Sequence, residues 1–498
     1  MKNCDEGLIK IPFTDIKEIN PKKWERGDII SILSGAGTGK SWFVKEILYE
    51  YAKNNKQKIL FLTSRLDSLN QFYLNILQEG KQNIVHTKTY QSIESLYRNY
   101  KEFDFSPYQY IVSDDCHYFT SDAAFNHTTD LSLEAILSQN NKTRIFMSAT
   151  GDSMVRYLNS NRRLPITVYE KKISYKFIKD LRFFHKNETI ESLMDEAIKR
   201  KMKTIFFIQS AKKAYELHQK YKKHSLFNCS KSNSLYKHVD KEKISKMLED
   251  EKFEELILIT TTCMDAGVNI HDHNLQHIVC DVKDIGTLIQ CIGRKRLCDE
   301  SDGIYLVIKS INNQQIGRIT TELHKKRKAA KYLKDNGIEA YVEEYYRNLN
   351  VNNGLVYDEI VNGKLEKKIN LLMYFRTLID ENSYSTMIKD FGEFAYCKYL
   401  ANIFGYVDHD GKYLYTIIEE DERINDLEEY LKSIIGHKLY KEDQQKLIEM
   451  IGLKDKRGRI QRRIDTLNAY LLRIKSNYTI IPKKSGSIRY WELNANLD

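Results

Sequence analysis

Two short segments of this chain carry residue types suited to phosphate chemistry. The first is Ser34-Gly-Ala-Gly-Thr-Gly-Lys-Ser41, between the apolar run Ile29–Leu33 and a helical pattern. Small residues let such a loop wrap a triphosphate, whose charge meets backbone N–H groups and a helix N-terminus. Ser34, Gly35, Gly37, Thr38, Gly39, Lys40 and Ser41 are therefore candidate ATP-binding residues. In this pattern Lys40 reaches the β- and γ-phosphates and Ser41 ligates Mg²⁺. Ser34 stands where Gly or Ala is usual, and it is small enough to fit.

The second segment is YIVSDDCHYF, residues 110 to 119. Its carboxylates, thiol and imidazole would suit zinc, magnesium, or simply the end of a buried strand. A phosphate loop calls for a second carboxylate site on a neighbouring strand, and Asp114 and Asp115 follow Lys40 by roughly 75 residues. One carboxylate would hold Mg²⁺ and the next would orient the attacking water. Some 30 residues later, Arg144–Met147 runs into Ser148-Ala-Thr150.

The elements that must position these groups are legible as short apolar runs. Strands are expected at 29–33, 59–62, 110–112, 144–147, 204–208, 256–259, 278–280 and 303–308, with helical periods between them. Strands buried on both faces and separated by helices imply parallel α/β sheets. The expected fold is two tandem RecA-like parallel-sheet domains, 1–168 and 169–335, then a mostly helical C-terminal domain, 336–498. With 42% hydrophobic and 29% charged residues the composition is ordinary for a globular chain, and five prolines leave little room for long linkers.

No apolar run approaches the roughly 18 to 20 residues of a membrane span, and the N-terminus lacks the apolar core of a signal peptide. No membrane partner is expected. The eight cysteines form no C-x-x-C pair, which argues against zinc and against a disulfide framework and fits a cytoplasmic location.

The phosphate loop, D-D-C-H and S-A-T, in this order, resemble superfamily 2 helicases of the DExH/DEAD-box type. The resemblance implies that Asp114 is the magnesium-site carboxylate and Asp115 the general base, where the family has Glu. His117, Ser148, Ala149 and Thr150 would couple ATP state to nucleic-acid contact. Lys203–Leu217 is similar to the first strand and helix of the family's second domain. Leu258–Ile270 resembles motif V, with Thr261 at a phosphate-contacting position, Gly267 at a turn, and Asn269 replacing an Asp near the ribose. Gln290-Cys-Ile-Gly-Arg-Lys-Arg296 resembles motif VI, Q-x-x-G-R-x-x-R. Gln290 and Arg294 would be catalytic, Arg294 as an arginine finger. The final family arginine aligns with Leu297, so either Arg296 takes that role or one finger acts alone. Arg65, with Gln71, and Thr89 sit where the family contacts the nucleic-acid backbone. The resemblance covers about residues 25 to 310.

Beyond it, residues 452 to 490 hold eleven Lys/Arg against two Asp, nearly the whole net charge of +10. Ile460, Ile464, Leu467, Leu471 and Ile474 recur at helical spacing as a buried stripe. Arg459, Arg463, Thr466, Tyr470 and Arg473 form a flank expected to be exposed. Helices at 424–436 and 441–451, this basic helix, and two strands around a Ser-Gly turn resemble a winged helix from about residue 424. Arg459, Arg462, Arg463 and Arg473 are therefore further nucleic-acid candidates. The expected function is an ATP-driven helicase or translocase, on DNA more than RNA, with a protein partner open through the C-terminal domain. Two alternatives stand beside it: a catalytically weak nucleic-acid-binding ATPase, and the motor subunit of a defence or restriction complex.

Overall fold

A computed structural model of the chain describes residues 8–35, 37–121, 126, 128–264, 268–299, 301–345, 354–361, 363–453 and 459–495. The first sheet is built from β1 (Leu8–Pro12), β2 (Ile29–Leu33), β3 (Ile59–Thr63), β4 (Val85–Thr89), β5 (Tyr110–Ser113), β6 (Thr143–Ser148) and β7 (Ile166–Glu170). Its order is β1-β7-β2-β6-β5-β3-β4 and every ladder in it is parallel. β2, β3, β5 and β6 are buried along their whole length, as strands covered by helices on both faces must be. Order decides function here: β6 lies between β2 and β5, so the phosphate loop, the carboxylate pair and Ser148 leave the sheet side by side. Such a carboxyl-end crevice is where open α/β sheets bind ligands.

The second sheet uses β8 (Ile178–Phe184), β9 (Lys203–Ile208), β10 (Ser225–Asn228), β11 (Ile257–Thr260), β12 (Leu275–Asp281) and β13 (Ile304–Lys309). These follow the order β10-β11-β9-β12-β13-β8, and the ladders from β10 to β13 are parallel. Two tandem RecA-like domains result. Strands β1, β4, β7, β8 and β10 were not among the apolar runs, and for the two edge strands of the first sheet the reason is exposure. β1 is exposed over most of its length and β4 alternates polar residues, so edge positions never needed an apolar block.

From β13 the chain passes into helix Asn313–Tyr345, which kinks at Gly337 (φ 82°). A two-stranded hairpin, Val356–Val361 with Lys364–Ile369, and helices Leu371–Phe391 and Ala395–Phe404 follow. Together with the first sheet and all of the second except the end of β8, these residues belong to one compact unit, residues 1–181 and 187–414.

The second unit, 182–186 with 415–498, contains helices Ile418–Ile434, Lys441–Ile451 and Ile464–Arg473 and the hairpin Tyr478–Ser485 with Ile488–Ala495. Leu427, Leu431, Leu447, Ile451, Leu467, Leu471, Ile480 and Leu493 make its core. Asn468 locks helix to hairpin by donating to Ile480 O and accepting from Ile480 N–H (2.9 and 2.8 Å). The first of these helices starts at Ile418, ahead of the expected 424. Glu419, Glu420 and Asp421 occupy its first turn, where the helix dipole favours negative charge.

Candidate functional site

The loop after β2 holds itself open through its own side chains. Ser34 N–H donates to Ser148 O at 3.3 Å, tying the loop to β6. Thr38 Oγ1 donates to Ser34 Oγ (2.7 Å) and Gly35 O (2.8 Å). Ser at the first position therefore has a structural use, as the acceptor for Thr38. Gly37 (φ 77°) and Gly39 (φ 92°) take left-handed turns, and Gly39 caps the helix that begins at Lys40. Lys40 Nζ lies inside the loop, donating to Ser34 O (2.7 Å) and Gly35 O (2.8 Å).

Asp114 and Asp115 follow β5 directly. Asp114 N–H donates to Leu62 O at 2.8 Å, and the buried Tyr90 hydroxyl donates to Asp114 O at 2.7 Å. Burial first, then the Asp115 carboxylate, push Asp114 up to about 7 against the pull of Lys40. Burial likewise lowers Lys40. Two adjacent, half-buried acids with too little positive charge between them suit a divalent cation. Ser41 and Asp114 line the same cavity and would hold Mg²⁺ there. When bound, the ion supplies neutralisation of phosphate charge. Cys116 is buried in the core, and burial pushes its thiol well up.

The opposite wall of this cavity, about 380 Å³, comes from the second sheet: Asn269, Gln290, Arg294 and Arg296. Arg294 N–H follows the helix end, and Arg294 O and Arg296 N–H both bond Ile270 (2.9 Å each). That bridge makes 294–296 locally extended, where side chains i and i+2 share a face. Arg294 and Arg296 therefore point to the cavity, while Lys295 is buried against Asp302 and Asp272 O. Leu297 is instead an exposed side chain. The Arg296 guanidinium reaches the phosphate loop itself: a Cβ on Gly37 would lie 2.8 Å from its NH1. Its Nε donates to Asn269 Oδ1 at 2.8 Å. Burial, then the neighbouring Arg294, lower Arg296 to about 10.

A relay of hydrogen bonds starts at His117, two residues after the carboxylates. His117 Nδ1 meets Ser148 Oγ (3.1 Å), Thr150 N–H donates to Ser148 Oγ (3.0 Å), and Gln290 Nε2 donates to Thr150 Oγ1 (3.0 Å). The last step crosses from the first domain to the second. Ala149 lines the small cavity between them. His117 and Gln290 also line a larger cleft of about 1040 Å³, which receives Arg65, Thr89 and Thr261 as well. Gln71 is placed differently from its sequence neighbour Arg65. It lines the small cavity, along with Trp42, Ser68 and Asn75.

Gly267 lies outside the described residues. Arg459, Arg462, Arg463 and Arg473 belong to the second unit. Three of the four precede the helix Ile464–Arg473, so the expected basic helix carries a single arginine, at its last turn. Tyr470 does not join an exposed flank: it is buried, with its hydroxyl accepting from Arg423 (2.6 Å) and Arg473 over its ring. Ile460 is correspondingly exposed rather than in the core stripe. The functional signal missed entirely is polar and dispersed: Asn228, Ser230 and Lys231 in the cleft, and Arg376 between the domains, form no local motif. One metal-compatible group exists among the described residues, His273, Cys298 and Asp302. Its carboxylate already accepts from Lys295.

Fold and site together define a tandem RecA-like nucleotide machine. The family model "Type III restriction enzyme, res subunit" matches residues 16–153, and "Helicase conserved C-terminal domain" matches residues 185–296. The chain is a helicase-type protein of superfamily 2. Domains of this kind imply ATP hydrolysis with Mg²⁺ and a nucleic-acid partner in general. Similar solved structures include Mss116p bound to ssRNA and AMP-PNP, 15% identical over 69% of this chain and 85% of that one (TM-score 0.45). Dbp5 of S. cerevisiae bound to RNA and ADP BeF3 is 17% identical over 57% and 79% (TM-score 0.43). The DUF1998 helicase MrfA bound to DNA and AMPPNP is 15% identical over 59% and 48% (TM-score 0.43). No curated protein matches the sequence.

Proposed function

We propose that this protein is an ATP-driven helicase or translocase that moves along nucleic acid held in the larger cleft. The observation that carries this reading is Gln290. It lines both cavities and bonds Thr150 across the domains, so one side chain meets the ATP site and the nucleic-acid cleft. In the proposed reaction Lys40 and the loop amides bind ATP, and Asp115 orients the attacking water. Arg294 and Arg296 then stabilise charge on the transferred phosphoryl group. His117, Ser148 and Thr150 pass the change to Arg65, Thr89 and Thr261, whose contacts are to backbone and independent of sequence. The three helices and hairpin of the second unit, with Arg459, Arg462, Arg463 and Arg473, support a winged-helix role and a preference for DNA. The decisive measurement is ATPase activity with and without single-stranded DNA, RNA or duplex. Stimulation by at least one supports the reading, and stimulation by none rejects it. Strand displacement on overhang substrates then assigns DNA or RNA. The match of residues 16–153 to a restriction subunit model favours one second reading, a motor serving a separate nuclease. Recovery of a nuclease on purification from the native host would support it.

A further inference from the structure

Helix Leu371–Phe391 lies beyond both family-model matches, yet it touches both motor domains. It packs along helix Asn313–Tyr345, which follows directly from β13, through Arg327 Nε to Glu381 Oε2 (2.7 Å). Its first turn belongs to the other domain: Leu372 is fully buried in the first domain's core beside Phe119 and Leu133. Phe375 meets the Tyr157 ring edge-on at 5.3 Å. One turn after Leu372, Arg376 makes a three-way contact. Its NH1 donates to Ser121 Oγ (3.3 Å), its NH2 to Asp284 Oδ2, and its Nε to Asp380 Oδ1 (2.8 Å).

The two end partners sit at functional positions. Ser121 closes the short helix that follows the D-D-C-H box. Asp284 is the N-cap of helix Ile285–Ile292, accepting from Thr287 N–H and Oγ1 at 2.8 Å each. That helix carries Gln290 and ends just before Arg294.

We propose that Arg376 is a positioning residue, a strap that holds the Gln290-bearing helix against the first domain and so pre-forms the cleft. Without its guanidinium, Asp284 and Asp380 would face each other with no cation between them, in a place where Arg376 itself is only 17% exposed. Removing one partner of such a site leaves the others unpaired and repelling. Pre-formation of the closed arrangement raises apparent ligand affinity by the fraction of molecules already competent. The consequence for ATP rests on the site reading above; the consequence for domain closure does not.

The test compares R376A, R376K, D284N and the double variant R376A/D284N in the full chain. Asn caps helices as well as Asp, so D284N removes the ion pair while keeping the cap. Small-angle scattering of nucleotide-free protein should show a larger radius of gyration for R376A and D284N. KM for ATP should rise about tenfold with kcat nearly unchanged, the signature of lost pre-organisation rather than lost chemistry. R376K should restore little, because an ammonium cannot fork to three partners. The double variant should be no worse than R376A alone. Unchanged scattering in both single variants, or additive effects in the double one, would overturn the strap. Should R376A fail to fold, D284N carries the same comparison. A wild-type protein without ATPase activity rejects the ATP reading while the scattering comparison still decides the strap.

Discussion

At position 115 side chain and backbone make opposite demands. The carboxylate is one methylene shorter than the Glu of the helicases it resembles, while the backbone sits at φ 52°. Asp tolerates that left-handed region better than most residues. Asp115→Glu should therefore retain or raise ATP turnover in a phosphate-release assay, at a cost of up to about 1 kcal/mol in thermal stability. A dead Glu variant with an intact fold would move the general base elsewhere. Lys40→Ala should abolish turnover in the same assay, since Lys40 is the cation seated within the phosphate loop. Asn269 shows a related compromise. It orients Arg296 through a neutral oxygen, which leaves the guanidinium charge available. Asn269→Asp should convert this into an ion pair and lower kcat about tenfold or more, read in steady-state kinetics at saturating ATP.

Among the elements, β6 and the residues after it are closely packed against β2. A Cβ on Gly151 would lie 2.7 Å from Leu33 Cδ2 and 3.1 Å from Ser148 Cβ, so no side chain fits between the S-A-T segment and β2. Gly151→Ala should cost about 1 to 3 kcal/mol in denaturant unfolding. Its activity loss should exceed that of a surface control, because Ser148 and the phosphate loop shift together. The relay through Gln290 makes a separable claim. Gln290→Ala should leave basal ATPase measurable and reduce its stimulation by nucleic acid. Loss of both in equal proportion would place Gln290 in the chemistry alone. Much of this layer was legible beforehand: fully buried strands announce themselves as apolar blocks, and β2, β5 and β6 were all expected. The second arginine was not settled. Motif spacing left open whether Arg296 takes the role or one finger acts alone, and the bridge between Ile270 and Lys295 places Arg296 beside Arg294 on the cavity face.

For the whole molecule, charge is the property that acts at a distance. The segment 452–490 carries most of the net charge, and Arg459, Arg462 and Arg463 are grouped ahead of a helix rather than spread along it. If these arginines contact phosphates, replacing all three by Ala should weaken DNA binding across sequences. The log–log salt dependence of affinity should flatten by about 2 to 3 units, since each neutralised phosphate contributes about 0.7 to 0.9. An unchanged slope would remove them from the interface.

The sequence alone determined the RecA-like frame and its phosphate loop: the local signals are contiguous, because a phosphate loop must be built from small neighbouring residues and a strand-end acid pair from adjacent ones. Those constraints act within a few residues and survive in one dimension. Tertiary structure decided what depends on distant segments meeting. A backbone bridge turned Arg296 to the cavity, and Tyr470 moved from an exposed flank to a buried contact with Arg423. Gln71 moved to the nucleotide cavity, and Arg376 was found between Ser121 and Asp284. No spacing rule links residues 121, 284 and 376; only packing of one helix on two domains does.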